Sequence, residues 1–113
     1  MVGAAIRLKR RAEFLRVASG GRKAAMPGLV LQTLDRNDAA PVRVGFTVTK
    51  KVGNAVVRNR AKRRLREVAR LLLRERPLSG VDLVLIGRAG TGGRDFRALI
   101  DDFSRALRKT GVG

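Results

Sequence analysis

Residues 55–76, AVVRNRAKRRLREVARLLLRER, can shelter their apolar side chains and keep their cations in water only as a helix. At 100° per residue, Val57, Ala61, Leu65, Val68 and Leu72 fall within about a quarter of the circumference. The same projection is expected to place Arg58, Asn59, Lys62, Arg63, Arg66 and Arg70 on the opposite side, with Arg60 at one margin. An apolar stripe of that kind needs a sheet to cover, and that need constrains the rest of the chain. Asn54 is the expected N-cap, and Pro77 stops the helix after Arg76.

The strands to be covered show in the alternation of VRVGFTVT, residues 42–49. Val42, Val44, Phe46 and Val48 alternate with Arg43, Gly45, Thr47 and Thr49, which predicts a strand with one buried face. Leu29–Leu34 reads as a second strand, and the turn residues of DRNDAAP between the two favour an antiparallel pair. VDLVLI, residues 81–86, is a nearly continuous apolar run and suits a buried strand. Residues 9–18, with Phe14 and Val17 on one face, predict a short helix ended by Gly20-Gly21. A last helix carries Phe96, Leu99, Ile100, Phe103 and Leu107 as its apolar stripe. Helix, strands, helix, strand, helix is an α+β sandwich. At 113 residues the chain is expected to form one domain, with flexible ends at residues 1–8 and 110–113.

Charge narrows the function. Twenty-six Lys and Arg against nine Asp and Glu give +17, while 44% apolar residues separate the chain from a disordered polybasic tail. A folded domain this basic rests on a polyanion. Residues 50–67 alone hold eight cations (Lys50, Lys51, Arg58, Arg60, Lys62, Arg63, Arg64 and Arg66) against the single acid Glu67. A solvated face would mix signs to gain i,i+4 pairs, whereas phosphates would supply the missing counter-charge to arginines that bind them in bidentate fashion. A nucleic-acid backbone is therefore the expected partner.

Protein-based chemistry is not expected. There is no Cys and no His, which removes thiolate metal sites, the usual general base and the commonest metal ligand. The acids Glu13, Asp35, Asp38, Glu67, Glu75, Asp82, Asp95, Asp101 and Asp102 are dispersed, so neither catalytic nor metal-binding residues are assigned. The loop GRAGTGGR, Gly87 to Arg94, lacks the Lys-Ser/Thr ending of a nucleotide-binding loop and reads as a flexible connector. No apolar run reaches the roughly 20 residues of a membrane span, and no signal peptide is evident, so a cytoplasmic location is expected. An amphipathic membrane binder would need large apolar residues on a free helix face, whereas this stripe suits the strands.

FTVTKKVGNAVVRNRAKRRLRE closely resembles the signature of the bacterial ribonuclease P protein component. Lys50-Lys51, the Gly53-Asn54-Ala55 turn, Arg58-Asn59-Arg60 and the following Lys62-Arg63 stand at the family's spacing. Glu13-Phe14, the Leu29–Leu34 strand and Arg43-Val44-Gly45-Phe46 extend the resemblance over most of the chain. It implies the accessory subunit of a tRNA-maturing endoribonuclease, one protein to one catalytic RNA, with that RNA using Mg²⁺ and the protein supplying no catalytic group. Lys50, Lys51, Asn54, Arg58, Asn59, Arg60, Lys62, Arg63 and Arg66 would bind the catalytic RNA. Phe14, Ala18, Gln32 and Thr47 would line a cleft for the 5′ leader of precursor tRNA. Ala18 and Gln32 stand where relatives often carry aromatics, which implies less base stacking there. The expected order is α-β-β-β-α-β-α around a mixed sheet of about four strands, with the family's left-handed strand–helix–strand crossover. A structural RNA-binding protein of ribosomal type is the alternative that charge and composition equally allow.

Overall fold

The structure, a computed structural model, describes residues 6–112. The elements are β1 (Ile6–Arg7), α1 (Arg11–Gly20), β2 (Arg22–Ala25), β3 (Leu29–Asp35), β4 (Arg43–Thr47), α2 (Ala55–Glu75), β5 (Val81–Gly87) and α3 (Phe96–Lys109). Single 3₁₀ turns at Lys50–Val52 and Thr91–Gly93 lead towards α2 and α3. The strands form one five-stranded sheet in the order β1-β4-β5-β3-β2. β4 runs parallel to both β1 and β5, and β3 runs antiparallel to both β5 and β2.

The mixed α+β architecture agrees with expectation, with two corrections. The sheet has five strands rather than about four, because Ile6–Arg7 adds a parallel edge to β4. β3 and β4 are not paired; β5 lies between them, its residues Leu83 and Val84 facing Thr33 and Gln32 on one side, Val44 and Gly45 on the other. The physical reason is apolarity on both faces of β5. A strand buried above and below takes the middle of a sheet, not its edge. Leu8 and Thr110, near the two ends, are both packed into the fold. Leu8 is buried beneath α1, while residues 1–5 lie outside the described residues. At the other end Thr110 is buried, and α3 closes in a Schellman motif: Gly111 has φ 77, and Val112 N–H donates to Leu107 O at 2.8 Å. Gly113 is not among the described residues.

Helices cover both faces of the sheet. Leu29, Leu31, Val44, Leu83 and Leu85 meet Ala61, Leu65 and Val68 of α2 and Leu99 and Phe103 of α3. On the other face Val84 and Ile86 meet Val17 and Phe14 of α1. Caps fix where the helices begin. Asn54 Oδ1 accepts from Val57 N–H at 3.0 Å, and Asp95 Oδ2 accepts from Ala98 N–H at 3.2 Å. Glu13 Oε1 reaches back to the N–H groups of Arg10 and Lys9 at 3.0 and 3.2 Å, so the start of α1 is held from within its own first turn.

Candidate nucleic-acid interface

Helix α2 presents its charges in two classes. Arg60, Arg63 and Arg66 are exposed beside the neutral Asn59, and Lys50 and Lys51 are exposed on the 3₁₀ turn that precedes the helix. Arg58 and Lys62 are half-buried, which corrects their expected place opposite the apolar stripe. They share a ridge with Leu65 and Ala69, at i, i+4, i+7 and i+11, so their stems lie on the sheet-facing side. Val57, counted into the stripe from the sequence, is 38% exposed and shifts the true buried arc towards Arg58. Arg58 Nε is enclosed without a hydrogen-bond partner in the protein. A buried donor left unpaired is costly, and an RNA acceptor at the guanidinium would satisfy it.

Arg64, absent from the expected site, has a different duty. It donates to Thr91 O at 3.1 Å, Gly92 O at 2.7 Å and Arg94 O at 2.5 Å, and Arg60 Nε adds a bond to Gly92 O at 3.0 Å. The loop expected to be a flexible connector is therefore fastened to the basic helix. Thr91 is wholly buried, its hydroxyl donating to Gly28 O at 2.7 Å and accepting from Arg88 N–H at 2.7 Å. Arg94 in turn holds the buried Asp102 at 2.6 Å, and Asp102 accepts from Gly28 N–H at 2.9 Å. Nothing in the spacing of a Gly-rich loop signals such anchoring, because the acceptors are backbone carbonyls.

The opposite face of the sheet is only partly roofed. Register places Arg43, Asp82 and Leu34 in one lateral row, Gly45, Val84 and Gln32 in the next, and Thr47, Ile86 and Val30 in a third. Ion pairs join the first row to α1: Arg43 contacts Asp82 Oδ2 at 2.6 Å and Glu13 Oε2 at 2.8 Å, and Arg36 contacts Asp82 Oδ1 at 2.5 Å. Phe14 stands over Gly45 in the second row, close enough that a Cβ there would lie 2.5 Å from Phe14 Cε1. The third row stays half-buried, open beside α1. Phe14, Gln32 and Thr47 thus border one shallow surface, and Ala18 is exposed one turn beyond Phe14. Gly45→Ala is expected to displace Phe14 and cost about 1–3 kcal/mol by overpacking, read as a lower urea midpoint. An unchanged midpoint would mean that α1 does not rest there.

Electrostatics keep these acids ionised. Burial alone would push Asp82 up, but hydrogen bonds from Arg43 and Arg36 outweigh it and hold its carboxyl below the usual aspartate value. Glu13 is held below its usual value first by the N–H groups of Arg10 and Lys9, against a smaller desolvation penalty. Asp82 and Asp102, the buried acids, face arginines, and among the described residues no three acids converge as a metal site would require.

One family matches nearly the whole length of the chain. The family model for ribonuclease P matches residues 3–111. This chain belongs to the ribonuclease P protein family. It is 68% identical over 112 residues to the ribonuclease P protein component of Gluconacetobacter diazotrophicus, covering 99% of this chain and 97% of that relative. The solved ribonuclease P protein of Staphylococcus aureus superposes with a TM-score of 0.78 at 28% identity, covering 96% of this chain and 98% of that one. That of Thermotoga maritima gives 0.76 at 27% identity, covering 91% and 96%.

In ribonuclease P family terms, the stretch FTVTKKVGNAVVRNRAKRRLRE spans the end of β4, the 3₁₀ turn and the first thirteen residues of α2. Lys50, Lys51, Asn54, Arg58, Asn59, Arg60, Lys62, Arg63 and Arg66 follow one another along the 3₁₀ turn, the cap and the first twelve residues of α2. Asn54 enters this group as a cap, with its side-chain oxygen already bonded to Val57. Among the described residues no helix is long and apolar enough to cross a membrane.

Proposed function

We propose that this chain is the protein subunit of ribonuclease P, which binds the catalytic RNA through α2 and the 5′ leader of precursor tRNA across the open sheet face. The observation that carries the reading is the run of exposed cations Arg60, Arg63 and Arg66, free of acids until Glu67, in a chain of this family. The enclosed Nε of Arg58, without a hydrogen-bond partner in the protein, adds a donor that an RNA acceptor would satisfy. Lys50, Lys51, Asn54 and Lys62 extend the same surface, and Phe14, Ala18, Gln32 and Thr47 border the leader's path. In this reading catalysis belongs to the RNA with its Mg²⁺, as the resemblance to the family implies, and the protein contributes binding surface.

The protein's part is electrostatic and positional. Cations between two RNA molecules lower the repulsion of their phosphates and so lower the Mg²⁺ needed to bring them together. If about six phosphates are neutralised, the log–log salt slope of RNA binding is about −4 to −5.

The test is cleavage of 5′-labelled precursor tRNA at low Mg²⁺ with protein alone, ribonuclease P RNA alone, and both in a 1:1 mixture. Leader release only with both is the expected result. Release by protein alone would place a catalytic site in this chain. No gain over RNA alone would leave a structural RNA-binding protein of ribosomal type, whose co-purification with ribosomal subunits then becomes the deciding observation.

A further inference from the structure

We propose that the hollow between α2 and the start of α3 receives one unpaired guanine nucleotide of the RNA partner. The hollow has a volume of about 380 Å³ and is lined by Arg60, Arg63, Arg64, Glu67 and Phe96. The proposal rests on the RNA-binding reading above and adds to it a base and the residues that read it.

Three features of the hollow differ from a surface that holds phosphates alone. The first is Phe96, a half-buried aromatic ring backed on one side by Arg64, whose guanidinium carbon lies 5.8 Å from the ring centroid. Arg64 cannot swing away, because its nitrogens are bonded to the carbonyls of Thr91, Gly92 and Arg94. The ring is thus a fixed platform, and flat rings and guanidinium planes are what unpaired bases stack upon. The second is an unused pair of charges. Arg63 makes no hydrogen bond or ion pair among the described residues, and Arg60 commits only Nε, to Gly92 O. Their free nitrogens can take a phosphate beside the stacked base.

The third is Glu67. It stands three, four and seven residues beyond Arg64, Arg63 and Arg60, which puts it on the same side of the helix. A carboxylate repels phosphate, so its place in an otherwise cationic lining calls for a group that donates. Arg70 Nε reaches Glu67 Oε2 at 3.3 Å and Arg70 Nη2 reaches Oε1. That fork takes the bidentate side of the carboxylate, so a guanine edge would replace Arg70 there, an exchange that an ion pair exposed at 53% and 45% and of small net worth allows. Guanine alone among the four bases offers two adjacent N–H donors on its Watson–Crick edge, the geometry a carboxylate accepts in bidentate form. Adenine and cytosine put a ring acceptor beside their single amine, and uracil flanks its one N–H with two carbonyls.

Single-stranded RNA pentamers test this, with four uridines around a central guanosine or adenosine, their binding read by fluorescence anisotropy at low salt. The unaltered protein is expected to bind the guanosine pentamer at least about 5-fold more tightly. Glu67→Gln should bring the two to near equality, because the amide presents a donor to a donor edge. Phe96→Leu, which keeps an apolar side chain against the core, should weaken both by about 5-fold or more. Arg63→Ala should weaken both and reduce the salt slope by about 1. Equal affinities in the unaltered protein, a preference that survives Glu67→Gln, or no binding of either pentamer would each overturn the proposal. The pentamers contain neither ribonuclease P RNA nor precursor tRNA. Loss of the preference would therefore leave the cleavage result standing, and failed cleavage would leave the preference standing.

Discussion

Asp82→Ala is expected to destabilise the protein by about 3–5 kcal/mol, because it removes the buried centre of a charge network and leaves two arginines facing it. Asp82 is 1% exposed and lies in the middle strand of the sheet. Arg43 Nε reaches its Oδ1 at 2.8 Å and Arg43 Nη2 its Oδ2 at 2.6 Å, while Arg36 Nη1 shares Oδ1 at 2.5 Å. Arg36 also donates to Ala40 O and Pro41 O, so the carboxylate pins the loop that carries the chain from β3 to β4. Arg43 continues to Glu13, and Glu13 caps α1. One substitution in β5 should therefore loosen α1 on the sheet's far face as well as lower the urea midpoint. Asp82→Asn keeps the shape and part of the hydrogen bonding, so its cost should be smaller than that of alanine.

The same network predicts an acid limb. Both Asp82 and Glu13 have carboxyls depressed in the folded state, so unfolding at acid pH takes up protons. Their contribution is complete above an unfolded value of about 4 and drains away as pH falls through the lower, folded values. Midpoints measured from pH 6 downwards should fall more steeply for the unaltered protein than for Asp82→Asn. Parallel limbs would mean that other carboxylates carry the acid sensitivity.

How much of this was legible in the sequence depended on whether a periodic pattern carried it. Helices α2 and α3 and strands β3 and β5 emerge within a residue or two of their observed bounds, because their apolar residues repeat with the period of the element. β1 has two residues, and β2, Arg22–Ala25, buries only Ala24, so neither holds enough apolar alternation to be seen. Adjacency along the chain favours β3 beside β4, whereas in the fold the doubly buried β5 takes the centre between them. Asp82 in the run VDLVLI was a visible signal, since a charge inside an apolar strand needs a partner. Its partners could not be read off, as they lie 39 and 46 residues away. At the interface, the composition of the basic run was plain, but the division of labour among its arginines was not.

That division gives the second large effect. Arg64→Ala is expected to cost about 2–3 kcal/mol of stability, whereas Arg63→Ala, its exposed neighbour, should stay within about 0.5 kcal/mol of the unaltered protein. Arg64 serves three carbonyls of the 91–94 segment, and a hydrogen bond from a charged donor contributes about 1.5–3 kcal/mol. The total falls short of three such bonds because the carbonyls at Gly92 and Arg94 belong to half-exposed residues that water can reach once the guanidinium is gone. Thr91 is buried, so its carbonyl supplies most of the loss. RNA affinity should show a different pattern. Arg63→Ala removes one free cation and lowers the salt slope by about 1 with the fold intact. Arg64→Ala lowers affinity through the displaced loop and Phe96, and should leave the salt slope close to its original value. Urea midpoints and salt-dependent binding to ribonuclease P RNA, measured on both variants, separate the two roles. If both variants are equally stable and lose the same slope, the arginines of this helix act only as interchangeable charge, and the fastening of the loop has no energetic weight.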